Sequence, residues 1–522
     1  MTKEYLKFGT AGLRGIMGSG NDKMNIPVVK RASQGLAAYL LRTYDNPSVV
    51  ISYDSRNNSR AFAECAASVL AANDVKTFIF NEMMPVPVLS YAVKKLTCSA
   101  GIVITASHNP REYNGYKVYS CTGGQILDEE AAAIMKEIEA VDVPDGINYI
   151  EFEKALQGCC SIVDDSLYVE YLAAVEQATE FSKENELSVV YTPLNGSGRK
   201  PVQDILGSCG FDVFTVPEQE FEDGNFPTCP YPNPEKHEVY QIAQGYAQQR
   251  NADIIIATDP DCDRVGAMVK AVVREETASE CTEGEAAVYE LLSGNDTGLL
   301  LFDYICRTSS DVKGRTVVSS IVSTPMLDRI AAAYGVNVER TLVGFKYIGQ
   351  KIDELGDSFI FGFEESNGYL TGTYARDKDG AAGAKLICRM AAYYKAQGLT
   401  LMEVLDGIYE KYGSIVSQTV NFEIGSNEER EAVMVSVRDR QRLEDAFSDI
   451  SGYTDYKYPR EDSELPPADV IRLDFEDSSR VIIRPSGTEP KIKIYISACG
   501  SNQVGGLGRA EELLEAFRNV IG

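Results

Sequence analysis

The stretch Ala100-Gly101-Ile102-Val103-Ile104 runs directly into Thr105-Ala106-Ser107-His108-Asn109-Pro110. Five uncharged, mostly apolar residues predict a strand buried on both faces, as in a parallel sheet covered by helices. The hydroxyl-bearing turn that follows stands where such a strand leaves its sheet, the carboxyl edge at which open α/β proteins bind ligands. Ser107 is thereby a candidate nucleophile. The plainer reading is a turn that merely precedes Pro110, and the hexapeptide alone does not separate the two.

The design recurs outward from this stretch. Strands at Val49-Val50-Ile51, Val189-Val190-Tyr191 and Thr316-Val317-Val318 each lead into a small polar loop: Asp54-Ser55-Arg56-Asn57, residues 193–198, and Ser323-Thr324-Pro325. A helical stretch follows each, and then a second strand, within 74–79, 210–214 or 335–338. Each unit reads as a βαβ half of a parallel sheet, so the recurrence predicts three similar α/β domains. The tail changes character near residue 418. Short strands at 418–424, 470–475, 481–483 and 492–496 alternate with polar turns, and a final helix carries Leu513, Leu514, Phe517, Val520 and Ile521 on one face. The expected domains are 1–182, 183–296 and 297–417, each α/β, and 418–522, α+β.

At 522 residues the chain is long enough for about three or four domains. Its 50 Lys+Arg against 77 Asp+Glu leave a formal charge of -27, which repels nucleic acid and anionic lipid at long range. A phosphorylated ligand would need a local basic pocket. The first residues, Met1 to Lys7, hold no apolar core of a signal peptide, and no run is long enough for a membrane span. The 12 cysteines are scattered without a Cys-x-x-Cys pair, as expected of reduced thiols in a cytoplasmic protein. Only His108 and His237 are present. A His-rich zinc site is excluded, and His108, adjacent to Ser107 in the chain, is expected to be badly placed to take its proton.

Three further segments carry chemistry. Asp259-Pro260-Asp261-Cys262-Asp263-Arg264 follows the strand Ile254-Ile255-Ile256-Ala257. Three carboxylates at alternate positions of an extended loop share one side and offer oxygen alone, which suits Mg2+. The plainer reading is a solvated acidic turn, opposed by the mutual repulsion of three unpaired carboxylates. Gly362-Phe363-Glu364-Glu365-Ser366-Asn367-Gly368 follows Phe359-Ile360-Phe361, and there Glu364 can accept two sugar hydroxyls while Ser366 adds a polar contact. Arg484-Pro485-Ser486-Gly487-Thr488-Glu489-Pro490, with Lys491 and Lys493, offers an Arg fork, two hydroxyls and glycine-exposed amides to a phosphate. A tight turn between strands is compatible with that role. Arg14, Lys117, Lys346 and Lys378 are basic groups that would complete an anionic site, although each alone reads as a surface charge.

These elements, in this order, resemble the α-D-phosphohexomutase superfamily. The resemblance spans nearly the whole chain: Gly9 to Gly15, Thr105 to Pro110, Asp223-Gly224-Asn225-Phe226-Pro227 with Pro232-Asn233-Pro234-Glu235, Asp259 to Arg264, Gly362 to Gly368, and Arg484 to Pro490. Glu364-Glu365-Ser366 is most similar to the phosphoglucomutase and phosphopentomutase branch, since phosphomannomutases usually carry Glu-Met-Ser there. The resemblance implies three α/β domains and a TATA-binding-protein-like last domain that closes as a lid. It implies that Ser107 carries the phosphoryl group and that Ser107, Asp259, Asp261 and Asp263 hold Mg2+. It further implies that His108, Arg264, Lys346, Glu364, Ser366, Lys378, Arg484, Ser486, Gly487, Thr488 and Lys493 bind substrate, with glucose 1,6-bisphosphate as activator and intermediate.

The expected reaction interconverts glucose 1-phosphate and glucose 6-phosphate, in a monomer or homodimer without nucleic-acid or membrane partners. Some phosphoglucomutases carry a His shortly before the Arg-x-Lys-Asp segment, but here the stretch is Thr373-Tyr374-Ala375-Arg376-Asp377-Lys378-Asp379. Lys117 is therefore the expected proton acceptor, with Arg14 as its electrostatic partner. The alternatives are a phosphopentomutase or phosphomannomutase, a Mg2+-dependent sugar phosphatase with an aspartyl nucleophile, and a non-catalytic sugar-phosphate-binding protein.

Overall fold

The computed structural model describes residues 5–9, 12–270, 287–459, 465–485 and 491–521. The acidic stretch 274–285 and the phosphate-loop residues Ser486, Gly487 and Thr488 lie outside them. The chain forms two compact units, one of residues 1–318 and 344–402 and one of residues 319–343 and 403–522.

The first sheet of the larger unit contains β1 (Phe8–Gly9), β2 (Gly12–Ile16), β3 (Ser48–Tyr53), β4 (Lys76–Ile79), β5 (Ala100–Ile104), β6 (Tyr113–Ser120) and β7 (Cys160–Ile162), in the order β1-β2-β6-β5-β3-β4-β7. Strands β7, β4, β3 and β5 are parallel, and from β5 the chain doubles back antiparallel into β6. All five residues of β5 are buried, as the uninterrupted apolar run requires when helices cover both faces. One covering helix, Ile26–Thr43, starts where the Asn25 side chain accepts a hydrogen bond from the Val28 amide.

The second sheet repeats this plan with β8 (Ser188–Thr192), β9 (Asp212–Thr215), β10 (Ile254–Thr258), β11 (Val265–Lys270) and β12 (Tyr289–Leu291), ordered β12-β11-β10-β8-β9. Here β9, β8 and β10 are parallel, and β10 doubles back into β11. Strands β13 (Thr316–Ser320) and β14 (Asn337–Thr341) follow at the expected places, and β15 (Phe359–Glu364) pairs antiparallel with β16 (Gly368–Thr371). The serine, aspartate and glutamate segments thus each form the turn of a β-hairpin, at β5–β6, β10–β11 and β15–β16.

The smaller unit contains β17 (Ser414–Glu423), β18 (Ile450–Asp455), β19 (Ile471–Phe475), β20 (Arg480–Pro485) and β21 (Lys491–Gly500) in one antiparallel sheet, β17-β21-β20-β19-β18. Two expectations change here. The strand expected from Gln418 begins at Ser414, because ten residues pair continuously with β21. Strand β18 was not expected, since Ile-Ser-Gly-Tyr-Thr-Asp lacks a clear alternation and is recruited by pairing with β19. The last helix, Gln503–Ile521, buries Leu513, Phe517 and Val520 against the sheet, with Leu514 and Ile521 half-buried beside them.

Among the described cysteines none is in a disulfide, and most are buried. No helix among the described residues is long and apolar enough to cross a membrane.

Candidate functional site

Ser107 lies just beyond β5 in the left-handed region, with φ of +52°. Its Oγ donates to Asp259 Oδ2 at 2.9 Å, so the serine turn and the aspartate turn meet within the larger unit. The left-handed backbone also overturns the expectation for His108. By reversing the chain at Ser107 it lets adjacent side chains converge, and His108 Nδ1 stands 3.3 Å from Ser107 Oγ. Burial, with Arg264 and Arg14 nearby, pushes the imidazole well below its usual pKa, so His108 is a neutral hydrogen-bonding neighbour of the serine. Its ring packs edge-on against Tyr231.

The aspartate segment is a tight turn instead of the expected extended loop. Cys262 has φ of +49°, and its amide donates to the Asp259 carbonyl at 2.9 Å. This turn gathers Asp259, Asp261 and Asp263 so that one oxygen from each lies within 4.8 Å of the others. All three residues are buried. Burial and then the charges of Asp261 and Asp263 push the Asp259 carboxyl well above its usual pKa. For Asp263, burial opposes ionisation, but Lys378, Lys117 and Arg264 outweigh it and hold the carboxyl well below the usual range. Asp261 Oδ1 and Asp263 Oδ1 are buried without a hydrogen-bond partner. Orphaned carboxylate oxygens in an all-oxygen donor set fit a hard divalent cation such as Mg2+.

Four cations surround these carboxylates. Lys117, on β6, pairs with Asp261 at 2.7 Å and Asp263 at 3.6 Å. Its ammonium is therefore shared by two carboxylates of the cluster. Lys378 pairs with Asp263 at 2.8 Å and Asp377 at 3.3 Å. Arg264 donates through its amide to Asp259 Oδ1 at 3.0 Å and through its guanidinium to Glu235. Arg14, an exposed side chain on β2, donates to Asn109 Oδ1 at 3.3 Å on the serine turn.

Lys378 is brought here by the start of the helix Gly380–Lys395. A Cβ at Gly380 would sit 2.7 Å from the Cys262 carbonyl, so only glycine permits this approach of the helix to the aspartate turn. Asp379 caps the helix, accepting from the amides of Ala381 and Ala382 and from the hydroxyls of Tyr171 and Tyr374. Asp379→Ala is expected to cost about 3 kcal/mol, from the lost cap and two buried hydroxyls left unpaired. Urea unfolding with an unchanged m-value and a lowered midpoint checks it.

The glutamate segment is mostly strand, because Glu364 pairs in register with Gly368. Only residues 365–367 turn, with Asn367 at φ of +61°. Glu364 is buried and accepts from the Gly344 amide at 2.8 Å. Burial, then the charge of Glu365, pushes its carboxyl up to about 7. Ser366 is half-buried in the same turn. Lys346, two residues past Gly344, pairs with Asp128 at 2.7 Å.

Arg484 and Lys493 belong to the smaller unit, where they face each other across β20 and β21.

Asp54, Arg56, Thr105, Glu235, Asp377 and Asp379 carry structural parts of the site that the sequence did not single out. The available signal was Asp54-Ser55-Arg56 after an apolar strand, the same design that marks Ser107.

The chain matches four family models: phosphoglucomutase/phosphomannomutase alpha/beta/alpha domain I over residues 5–144, domain II over 166–272, domain III over 293–412, and the C-terminal domain over 428–513. It is 34% identical over 508 residues to the phosphoglucomutase of Staphylococcus aureus strain MRSA252, covering 94% of this chain and 89% of that one. In fold it is similar to pp63/parafusin, a phosphoglucomutase from Paramecium, with a TM-score of 0.74 at 18% identity over 99% of this chain and 94% of that one. A putative phosphomannomutase from Thermus thermophilus gives 0.72 at 23% identity, over 98% of this chain and all of that one.

Proposed function

Since the chain belongs to the phosphoglucomutase/phosphomannomutase family, whose members are mutases, we propose that it interconverts glucose 1-phosphate and glucose 6-phosphate. Ser107 is the phosphoryl carrier in this reading. The observation that carries it is the Ser107 hydroxyl seated 2.9 Å from Asp259 within a cluster of three buried carboxylates. The curated relatives at about a third identity, named phosphoglucomutase, favour glucose over mannose or pentose phosphates. We also propose the domain divisions 1–182, 183–296, 297–417 and 418–522, the first two of which leave the first and second sheets whole, while the last cuts β17.

Asp259, Asp261 and Asp263, with the phosphorylated Ser107, would hold Mg2+. When bound, that cation neutralises charge on the transferring phosphoryl group. Ser107 Oγ gives its phosphoryl group to the free hydroxyl of the sugar phosphate, whose proton ends on Oγ, and the resulting bisphosphate returns its other phosphate to Ser107 after turning over, the serine proton passing back to the sugar oxygen that is released. Phosphoryl transfer asks mainly for positioning and charge. Lys117, Lys378 and Arg264, all held at the carboxylate cluster, are placed to offset the charge of the phosphoserine. His108 Nδ1 is placed to hydrogen-bond Oγ when the serine is dephosphorylated. Glu364 accepts sugar hydroxyls, and Arg484 with Lys493 binds the non-reacting phosphate together with Ser486, Gly487 and Thr488.

The test is intact mass spectrometry before and after incubation with glucose 1,6-bisphosphate and Mg2+. A phosphate adduct on the native chain that Ser107→Ala lacks is the expected result. Unmodified but fully active protein overturns the reading.

Glu364 makes the sugar contact pH-dependent. Its folded-state pKa of about 7 stands above the ordinary 4.5, so its stabilising contribution is complete below pH 4.5 and is lost as pH rises through 7, a change on the order of 3 kcal/mol. The ionised form that accepts hydroxyls dominates only above pH 7. KM for glucose 1-phosphate is therefore expected to fall from pH 6 to pH 8. Glu364→Gln should raise KM, flatten the part of the profile not due to the substrate's own phosphate, and raise the melting temperature at pH 8.

A further inference from the structure

The backbone of Ser107 is held on both sides by buried side chains that share one carboxylate. Its amide donates to Thr105 Oγ1 at 2.8 Å, and its carbonyl accepts from Arg56 Nη2. Thr105 Oγ1 lies 2.7 Å from Asp54 Oδ2, and Arg56 Nε pairs with that same oxygen at 3.2 Å. The other Asp54 oxygen accepts from the Arg56 amide at 3.0 Å and from Ser59 Oγ at 2.7 Å. Arg56 also donates to the carbonyls of Asn109, Pro110 and Tyr113, so it spans the turn from Ser107 to the start of β6. Asp54, Arg56 and Thr105 are all buried.

Accepting Ser107 as the phosphoryl carrier, we infer that Asp54 is a positioning residue for the transfer, orienting Thr105 and Arg56 so that they hold Ser107 left-handed with its Oγ against Asp259. A side chain at φ of +52° needs its surroundings to hold it there. Thr105 supplies half of that hold only while its single hydroxyl proton points at a carboxylate, leaving a lone pair for the Ser107 amide. Two acceptors compete for that proton: Asp54 Oδ2 at 2.7 Å and Asp261 Oδ2 at 3.2 Å. Asp54 is nearer and keeps the proton away from the cation-binding cluster. With Asp54 neutralised, Arg56 loses the ion pair that orients it on the Ser107 carbonyl and the Thr105 hydroxyl turns towards Asp261, so one change loosens the serine and burdens an aspartate of the cluster.

The test uses the full chain with Mg2+ and compares Asp54→Asn, Thr105→Val and Thr105→Ser. A nucleophile held loosely loses turnover more than affinity. Asp54→Asn and Thr105→Val are therefore expected to lower kcat by about 10- to 100-fold with KM for glucose 1-phosphate within about twofold. Thr105→Ser keeps the hydroxyl and should retain near-normal kcat. The double variant Asp54→Asn/Thr105→Val should be little worse than either single one, because both break one connected hold. Phosphate uptake from glucose 1,6-bisphosphate, followed by intact mass, should slow by the same factor as kcat.

Thr105→Ser falling as far as Thr105→Val, or phosphate uptake by Asp54→Asn at the native rate, overturns the role of Asp54. If Asp54→Asn does not fold, the Thr105 pair alone decides, with melting temperatures measured alongside. A native chain that takes no phosphate at Ser107 overturns the carrier reading itself. Native uptake in every variant overturns only the positioning role.

Discussion

Ser107→Ala is expected to lower kcat by roughly four orders of magnitude or more while leaving the fold intact, since removing a covalent carrier removes the pathway. The structural cost is small. Among the described residues Oγ bonds Asp259 Oδ2 and His108 Nδ1, and Thr105 and Arg56 still hold the backbone through the amide and carbonyl. Alanine accepts the left-handed backbone as serine does, so the melting temperature should move little. A coupled assay of glucose 6-phosphate formation, with thermal unfolding of the same sample, measures both. An aspartyl-nucleophile phosphatase built on the same carboxylates predicts the opposite, release of free phosphate undiminished in Ser107→Ala.

The second large effect concerns the carboxylate cluster. Mg2+ added to the native chain is expected to stabilise it, by about 2.7 kcal/mol at a hundred times the dissociation constant, and chelation with EDTA should abolish turnover. Asp259→Asn should remove both responses. The asparagine retains the shape of the side chain and an oxygen, but one of three anionic donors is gone. In the metal-free protein the same substitution should cost little, since Asp259 is buried beside two other carboxylates that push it towards its neutral form. Calorimetric Mg2+ titration, with melting curves with and without the ion, gives the answer. Undiminished stabilisation of Asp259→Asn by Mg2+ would place the ion elsewhere.

Much of this arrangement was legible in the residue pattern. The runs Ala100–Ile104 and Ile254–Thr258 are strands because uninterrupted apolar residues have nowhere to go but between two layers. Each hands its chemistry to the turn that follows, and the motif order is enough to read the family. Serine and three aspartates were found because nucleophile and oxygen donors are types that declare their chemistry. Residues whose work is to hold others were not. Asp54 and Arg56 read as an ordinary polar turn, and Asp379 as one acid in a charged segment.

What the pattern left open was distance between remote segments and the hand of single residues. Ser107 and Asp259 are 152 positions apart, and only the packing of one sheet beside another brings Oγ to Asp259. Lys117 alone read as a surface charge, yet the fold sets its ammonium between Asp261 and Asp263. His108 looked excluded by adjacency until the positive φ of Ser107 turned its ring towards the hydroxyl. Strand periodicity and motif chemistry are local properties, carried by neighbours in the chain. Charge pairing, burial and a left-handed turn are decided by whatever the fold brings across, and only the tertiary structure shows them.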